Sequence, residues 1–136
     1  MNVFISHSET DRELAQKLGS ALKEAGLSVF DMYSDIYPGD NWAEKVSEAL
    51  EDADAMLVLF TPNSLSSPTV MYEVGYALGH EEFKGRVFPV LATGQGEVST
   101  RDIPWILNQF QVFQLPDADP DEESVGEITR ALAMAA

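Results

Sequence analysis

The chain has 136 residues, of which 23 are acidic and 8 are basic, so its formal net charge is −15. A surface this negative repels nucleic-acid phosphates, and we expect no nucleic-acid partner. The length suits a single domain, 1–136, and a hydrophobic fraction of 45% is typical of a folded protein. The chain has no cysteine and only two histidines, His7 and His80, which excludes disulfides and makes a transition-metal site a poor expectation.

The sequence shows no targeting or membrane segment. Its first residues lack the basic and apolar regions of a secretory signal. The longest apolar run, 55–60, is far shorter than the roughly twenty residues that span a bilayer. We therefore expect a cytoplasmic protein that makes no contact with a membrane.

Short β-rich runs alternate with stretches of helical periodicity along the chain. Strands are predicted at 2–6, 27–30, 55–60, 87–91 and 112–115, and the uninterrupted apolar run 55–60 indicates a central strand. Helices are predicted from the capping box 10–13 to a stop at Gly26, from Asp40 or Asn41 to 53, from 68 to about 80, and over 121–134. Residues 93–104 are typical of a loop, and 104–110 of a short helical turn.

Each predicted helix has one apolar face that should turn toward the core. The residues of these faces are Leu14, Leu18 and Leu22; Trp42, Val46, Ala49, Leu50 and Ala53; Val70, Val74, Ala77 and Leu78; and Val125, Ile128 and Leu132. The predicted fold is an α/β flavodoxin-like sandwich with a five-stranded parallel sheet in the order 2-1-3-4-5 and helices on both faces. Ligands of such folds bind at the carboxyl ends of the strands, near the switch between strands one and three.

Three segments should meet at that edge: 6–8, 35–42 and 61–73. None of them contains a phosphate-binding glycine loop, which argues against a P-loop ATPase or a conventional dehydrogenase. Glu73 lies on the border of the apolar face of its helix, so we expect it to be partly buried. From periodicity alone, a solvated carboxylate is a more common role for such a residue than a catalytic one.

Several residues in these segments have a structural interpretation beside a functional one. Ser6 and His7 suggest a hydrolase, but they lack a surrounding G-x-S-x-G turn, and loop hydrogen bonds are the simpler role. Pro38-Gly39 indicates a turn, and Trp42 indicates a core anchor rather than a ligand-stacking ring. Gly75 and Gly79 are interpreted as positions where the helix packs closely.

Three ordered motifs resemble the Toll/interleukin-1 receptor (TIR) domain in its bacterial form. The residues 3–11, VFISHSETD, are similar to the first box of that family. The residues 35–40, DIYPGD, are similar to its BB loop, and 66–79, SSPTVMYEVGYALG, to its third helix with the family glutamate at Glu73. The resemblance covers essentially the whole chain.

The resemblance implies an NAD⁺ glycohydrolase or cyclase that uses NAD⁺ as substrate, without a cofactor or metal, with Glu73 as the catalytic residue. It also implies a pocket lined by Ser6 and His7, by the loop that contains Asp35, Tyr37, Pro38, Gly39 and Trp42, and by Met71 and Tyr72. Many enzymatic relatives have Trp or Cys shortly before the glutamate, whereas this chain has Thr69 to Tyr72. The ring-stacking partner is therefore Tyr72, Trp42 or Tyr37. The start of the first helix and Arg12 are the expected pyrophosphate contacts.

Two alternative functions remain open at this stage. A non-catalytic module would bind other TIR domains, or a second copy, through the loop 35–42. The run Glu73 to Ala77 is also similar to the glutamate helix of nucleoside 2-deoxyribosyltransferases. Relatives act in bacterial antiphage defence, which is the expected setting for a stand-alone enzyme or for an excised domain. The sequence leaves open whether the product is linear or cyclic ADP-ribose.

Overall fold

A computed structural model describes residues 1–31, 37–62, 64, 67–80, 83, 86–92, 102–103, 107, 111–115 and 120–135. Five parallel strands form one sheet in the order β2-β1-β3-β4-β5, which confirms the predicted topology. The strands are β1 (Asn2–Ser6), β2 (Ser28–Asp31), β3 (Ala55–Phe60), β4 (Val87–Leu91) and β5 (Phe113–Gln114). The helices are α1 (Arg12–Glu24), α2 (Trp42–Asp52), α3 (Pro68–Leu78) and α4 (Glu122–Ala135).

The strand register places the end of β1 beside the middle of β3. Val3 pairs with Ala55, and Ser6 pairs with Val58. On its other side β1 pairs with β2, where Ile5 lies opposite Asp31. The chain therefore reverses its direction of winding at β1, and the carboxyl ends of β1 and β3 border the resulting crevice.

Each face of the sheet carries its own hydrophobic core. On one face, Phe4, Met56 and Phe60 pack with Leu50 of α2 and Val74 of α3. On the other face, Ile5, Leu57 and Leu59 pack with residues of α1 and α4, among them Leu18 and Ile128. All six residues of β3 are buried, as predicted for the central strand. No helix in the described ranges is long and apolar enough to cross a membrane.

The start of α1 differs from the predicted capping box. A 3-10 turn over Glu9–Asp11 precedes the helix, and neither Ser8 nor Asp11 caps it with a side-chain hydrogen bond. Instead the Ser8 hydroxyl lies 3.1 Å from the Thr10 hydroxyl and donates to Asp11 Oδ2 at 2.6 Å. The capping-box prediction is wrong because α1 begins at Arg12, two residues after Thr10, and the Thr10 hydroxyl lies beside that of Ser8 instead.

The end of α1 follows the sequence closely. Gly26 has φ of +96°, which a residue with a side chain rarely adopts. The amide of Gly26 donates to the Lys23 carbonyl at 3.0 Å, and that of Leu27 to the Leu22 carbonyl at 3.1 Å. These two bonds form a Schellman motif, which satisfies carbonyl groups at the end of the helix.

Side-chain caps fix the starts of α2 and α3. The Asn41 side chain accepts a hydrogen bond from the Glu44 amide at 3.1 Å, and the Ser67 hydroxyl accepts one from the Val70 amide at 3.4 Å. Pro68 then occupies the first turn of α3, as predicted.

Three predictions about α2 and α3 are wrong in detail. Trp42 is 43% exposed and is no core anchor, because it lies in the first turn of α2 at the surface. Leu78, predicted to face the core, is 36% exposed as the last residue of α3, whereas the end of the helix agrees with the predicted end at about His80. Gly75 is exposed, and a Cβ atom added to it would meet nothing within 4 Å, so this glycine is not required for close packing.

Shortening one buried side chain of the central strand β3 tests this arrangement. Leu59→Ala removes a fully buried side chain from β3 and should lower the free energy of unfolding by about 2–5 kcal/mol in a urea titration. Met134→Ala, which changes a side chain that is 88% exposed, should alter it by less than about 0.5 kcal/mol. Equal effects of the two substitutions would contradict the core described here.

Candidate active site

The central contact of the site joins β1 to α3. The Ser6 hydroxyl donates to Oε1 of Glu73 at 2.7 Å, and both residues are fully buried. Successive strand residues point to opposite faces of a sheet, and Phe4 faces α2 and α3. Ser6, two residues later, therefore faces the same helices. The predicted meeting of the first box with the helix glutamate is thus present in the structure.

Glu73 is more deeply buried than the sequence predicts, because its side chain lies wholly between the end of β1 and the core beneath α3. Its exposed fraction is 0%, and its Oε2 atom has no hydrogen-bond partner among the described residues. Burial raises the pKa of Glu73 to about 7. The hydrogen bond from Ser6 and the charge of His7 act in the opposite direction, while the charge of Asp31 adds to the rise.

His7 follows Ser6 and is also fully buried. Its Nε2 lies 2.7 Å from Oδ1 of Asp31, and its Nδ1 lies 2.8 Å from the Ser8 carbonyl oxygen. Burial alone lowers the pKa of His7, but the hydrogen bond and charge of Asp31 outweigh it, so the pKa is raised above its ordinary value. Both ring nitrogens face these oxygen atoms, so neither is placed to activate Ser6 as a nucleophile. This arrangement disfavours a serine hydrolase.

A second polar cluster holds the end of β1 in place. Oδ2 of Asp11 accepts hydrogen bonds from the hydroxyls of Ser8 and Thr61, each at 2.6 Å. The Thr61 amide in turn donates to the Ser64 hydroxyl at 2.8 Å. The cluster ties the loop after β1, the turn before α1 and the loop after β3 together, which limits movement of the backbone next to Ser6.

A cavity of about 340 Å³ lies between the first turns of α2 and α3. This volume falls within the range of small-molecule sites, about 300–1,000 Å³. The lining residues are Trp42, Ala43, Val46, Ser47, Pro68, Thr69, Tyr72 and Glu73. Glu73 forms part of the wall, yet it has no exposed surface. A ligand in the cavity therefore reaches its carboxylate only after neighbouring side chains shift.

The predicted BB-loop residues that are described form a tight turn. The Asp40 amide donates to the Tyr37 carbonyl at 3.0 Å, and the Tyr37 amide donates to Oδ2 of Asp40 at 2.9 Å. Gly39 has φ of +94°, so the Pro38-Gly39 turn is confirmed. Asp35 lies outside the described residues.

Two of the three aromatic residues predicted as stacking partners lie at the cavity. Trp42 and Tyr72 line it, and Tyr72 is 66% exposed. Tyr37 is 68% exposed, in the turn before α2. Two of the predicted stacking candidates, Trp42 and Tyr72, are therefore at the cavity.

The other described residues that were predicted for the pocket are not among those that line this cavity: Ser6, His7, Arg12, Tyr37, Pro38, Gly39 and Met71. Met71 packs partly buried against the core on the α2 and α3 face. The Arg12 guanidinium lies near the surface, 3.4 Å from Oε1 of Glu9. The helix starts that border the cavity are those of α2 and α3, not that of α1. Among the described residues, no group of three or more His, Asp or Glu side chains is arranged to hold a metal ion.

Sequence reasoning assigns no individual role in the site to Asp31, Asp11 or Thr61. The predicted second strand ends at residue 30, but Asp31 is the last residue of β2 and touches His7. A carboxylate at the carboxyl end of a strand beside β1 is the signal that could reveal it. Asp11 lies in the predicted capping box and first motif, and Thr61 begins the predicted segment 61–73, but only the tertiary contact between them shows their role.

The sequence matches the model of one known protein family. The model that describes the TIR domain matches residues 3–129. The chain belongs to the TIR domain family. A search of curated protein sequences finds no significant match.

Solved structures share the fold at low sequence identity. The metazoan TIR-STING receptor of C. gigas, in complex with 2',3'-cGAMP, is 23% identical with a TM-score of 0.77, over 96% of this chain and 38% of that one. The TIR domain of the Toll-related receptor TRR-2 of Hydra magnipapillata is 22% identical with a TM-score of 0.72, over 96% and 97% of the two chains. The CMP N-glycosidase BcmB of Clostridium botulinum is 16% identical with a TM-score of 0.57, over 94% and 98%. The chain thus spans little more than a third of the receptor from C. gigas.

The burial of Glu73 predicts that its replacement stabilises the protein at neutral and alkaline pH. Because its pKa in the folded state is about 7, above the ordinary 4.5, the folded protein binds more protons than the unfolded chain between these values. Its stability therefore falls as pH rises through this window. Glu73→Gln removes this loss. The difference in melting temperature between the variant and the parent should therefore change in favour of the variant as pH rises from 5 to 8.

Thermal unfolding of both proteins at several pH values measures this difference. At pH 8 we expect Glu73→Gln to be more stable by on the order of 1–2 kcal/mol. For a solvated carboxylate at the edge of an apolar face, the same substitution would change stability by less than about 1 kcal/mol. A difference in melting temperature that does not vary with pH would contradict the raised pKa.

Proposed function

We propose that this TIR domain is an NAD⁺ glycohydrolase or cyclase that cleaves the bond between nicotinamide and ribose, with Glu73 as its catalytic residue. The observation that carries the proposal is the Glu73 carboxylate itself. It is held by Ser6 through one oxygen atom, its other oxygen has no partner among the described residues, and it forms part of a cavity wall. A buried carboxyl with a perturbed pKa beside a cavity is typical of a functional site.

The reaction matches what a single carboxylate offers. Nicotinamide leaves as a neutral molecule from a cationic precursor, so its departure needs no general acid. The ribose that remains develops the positive charge of an oxocarbenium ion. An ionised Glu73 stabilises that charge through its field or captures the ribose covalently, in a site from which water is largely excluded. The substrate cation also favours the ionised form of Glu73, whose pKa is about 7.

The remainder of the dinucleotide needs partners for rings and phosphates. Trp42 and Tyr72 offer aromatic faces at the cavity. The first turns of α2 and α3 border it, and the amides of a first turn lack partners within their own helix. Two converging helix starts supply positive potential for the pyrophosphate in a chain with a net charge of −15. The proposal assigns the phosphates to these two starts rather than to Arg12.

The setting proposed for this activity is cytoplasmic antiphage defence in a bacterium, and it rests on the resemblance of the three sequence motifs. The fold shared with a CMP N-glycosidase agrees with the class of bond that is cleaved, although at 16% identity it supports the fold alone. CMP and deoxynucleosides are therefore the appropriate alternative substrates for an activity assay.

A TIR interaction module is the second candidate function, and surface composition favours it. Tyr37 and Trp42, in and just after the turn before α2, are 68% and 43% exposed, and Tyr72, which lines the same cavity as Trp42, is 66% exposed. The two functions are compatible, because the turn at 37–40 directly precedes α2, whose first turn lines the cavity. Self-association must overcome the repulsion between chains of charge −15, which salt screens over about 8 Å at physiological ionic strength.

Glu73→Gln tests the catalytic assignment. The substitution keeps the shape and removes the charge, so NAD⁺ consumption should fall on the order of a hundredfold or more. Glu127→Gln makes the same chemical change at an exposed position of α4, on the opposite face of the sheet, and should retain the parental rate. Parental turnover by Glu73→Gln, in a sample with a cooperative melting transition, would show that Glu73 is not the catalytic residue.

A pair of glycine variants tests the role of the turn at 37–40. Gly39 and Gly26 have φ of +94° and +96°, and a Cβ atom on either would meet nothing within 4 Å. Gly39→Ala and Gly26→Ala should therefore cost a similar free energy of unfolding, about 1–2 kcal/mol. If association of two copies completes the site, specific activity rises with protein concentration. Only Gly39→Ala should then reduce both this rise and self-association in sedimentation velocity.

Specific activity that is constant with concentration in a demonstrated monomer would show that association of two copies does not complete the site. Equal losses in both glycine variants would mean that general destabilisation, and not the turn, causes the effect.

A further inference from the structure

The hydrogen-bond partners of His7 determine its charge. Nδ1 lies 2.8 Å from the Ser8 carbonyl oxygen, which can only accept a hydrogen bond. Nε2 lies 2.7 Å from Oδ1 of Asp31, which in its ionised form can also only accept. Two acceptors require a hydrogen on each ring nitrogen. An aspartate is a far stronger acid than an imidazolium, so the shared proton belongs to His7 rather than to Asp31.

The imidazolium formed in this way is completely buried and surrounded by acidic groups. Asp31 of β2 is its direct partner, and Glu73 of α3 interacts with it through its charge. Asp11, in the turn before α1, is held by the hydroxyls of Ser8 and Thr61 next to the same backbone segment. Arg12 extends from the start of α1 to Glu9 at the surface. His7 is thus a buried cation at the carboxyl edge of the sheet, directly after the residue that binds Glu73.

We propose that His7 is a charged positioning residue: paired with Asp31, it holds Ser6 against Glu73 and places a positive charge near that carboxylate. The proposal rests on the function proposed above, in which that anion stabilises the ribose cation. It differs from a triad because His7 exchanges no proton with Ser6 or with a substrate. Its contribution is a fixed positive charge and a fixed backbone at the end of β1.

The charge effect has a definite direction. Burial is the main reason that the pKa of Glu73 is raised to about 7, and the positive charge of His7 opposes this rise. Without that charge, ionisation of Glu73 becomes more difficult and its pKa increases further. A larger fraction of the protein then carries a protonated Glu73 at neutral pH, and this form does not stabilise a cationic ribose.

Nuclear magnetic resonance tests the proposal without relying on turnover of NAD⁺. In the parent protein, the ¹⁵N shifts of His7 should show hydrogen on both ring nitrogens at pH 7, and the ¹³C shift of the Glu73 carboxyl should titrate near pH 7. In His7→Gln, the Glu73 midpoint should move to higher pH. His80→Gln is the matched control, because His80 also bonds a backbone carbonyl, at 2.7 Å, but is exposed beyond the end of α3.

The possible results separate this proposal from the proposed function. A bare ring nitrogen on His7 of the parent at pH 7 would overturn the positioning role, as would an unchanged Glu73 midpoint in a folded His7→Gln. If His7→Gln does not fold, the Asp31→Asn variant is measured in its place. That variant should lower the pH at which His7 loses its proton, and a His7 titration identical to the parent's would overturn the proposal.

Activity assays supply a second measurement if the parent cleaves NAD⁺. The acid limb of the kcat/KM profile should move to higher pH in His7→Gln and remain in place in His80→Gln, with a loss on the order of tenfold at pH 7. A uniform loss at every pH, with no movement of the limb, would indicate only structural damage and would overturn the charge role. A parent that is inert to NAD⁺ contradicts the proposed function but leaves the resonance experiment valid.

Discussion

The candidate site depends on one costly arrangement, the burial of the Glu73 carboxyl beneath α3 with a single hydrogen bond from Ser6. Removing a carboxylate from water is unfavourable unless it is neutralised or paired. The hydrogen bond from Ser6 and the charge of His7 offset part of this cost. The part that remains raises the pKa of Glu73 to about 7. Ser6, Asp31 and Glu73 belong to β1, β2 and α3, so these three elements must meet at one edge of the sheet. The parallel strand order β2-β1-β3 brings them together there.

Much of the architecture could be predicted because it depends on local pattern. The apolar run 55–60, the Gly26 stop and the Ser67-Pro68 helix start each act within a few residues, and all three are present. The predictions that failed depend on contacts between distant segments. Trp42 has the spacing of a core residue, yet the cleft between α2 and α3 leaves it at the surface.

The site shows the same division between local and distant information. The family glutamate and the Ser6-His7 pair were visible as motifs, but their chemistry depends on Asp31, which is separated from His7 by 24 positions. Periodicity placed Glu73 at the edge of an apolar face and so predicted partial burial. Its complete burial follows from the end of β1 lying against that edge, which is a property of the packed sheet and not of the helix.

The central claim is that this buried carboxylate serves the cleavage of NAD⁺, and product analysis tests it most directly. Concentrated protein incubated with NAD⁺ at pH 7.5 to 8, where Glu73 is largely ionised, should release nicotinamide together with an equal amount of one ribose-bearing product, linear or cyclic ADP-ribose, identified by mass spectrometry. Recovery of all NAD⁺ unchanged, at a protein concentration where the chain is shown to self-associate, would contradict the account.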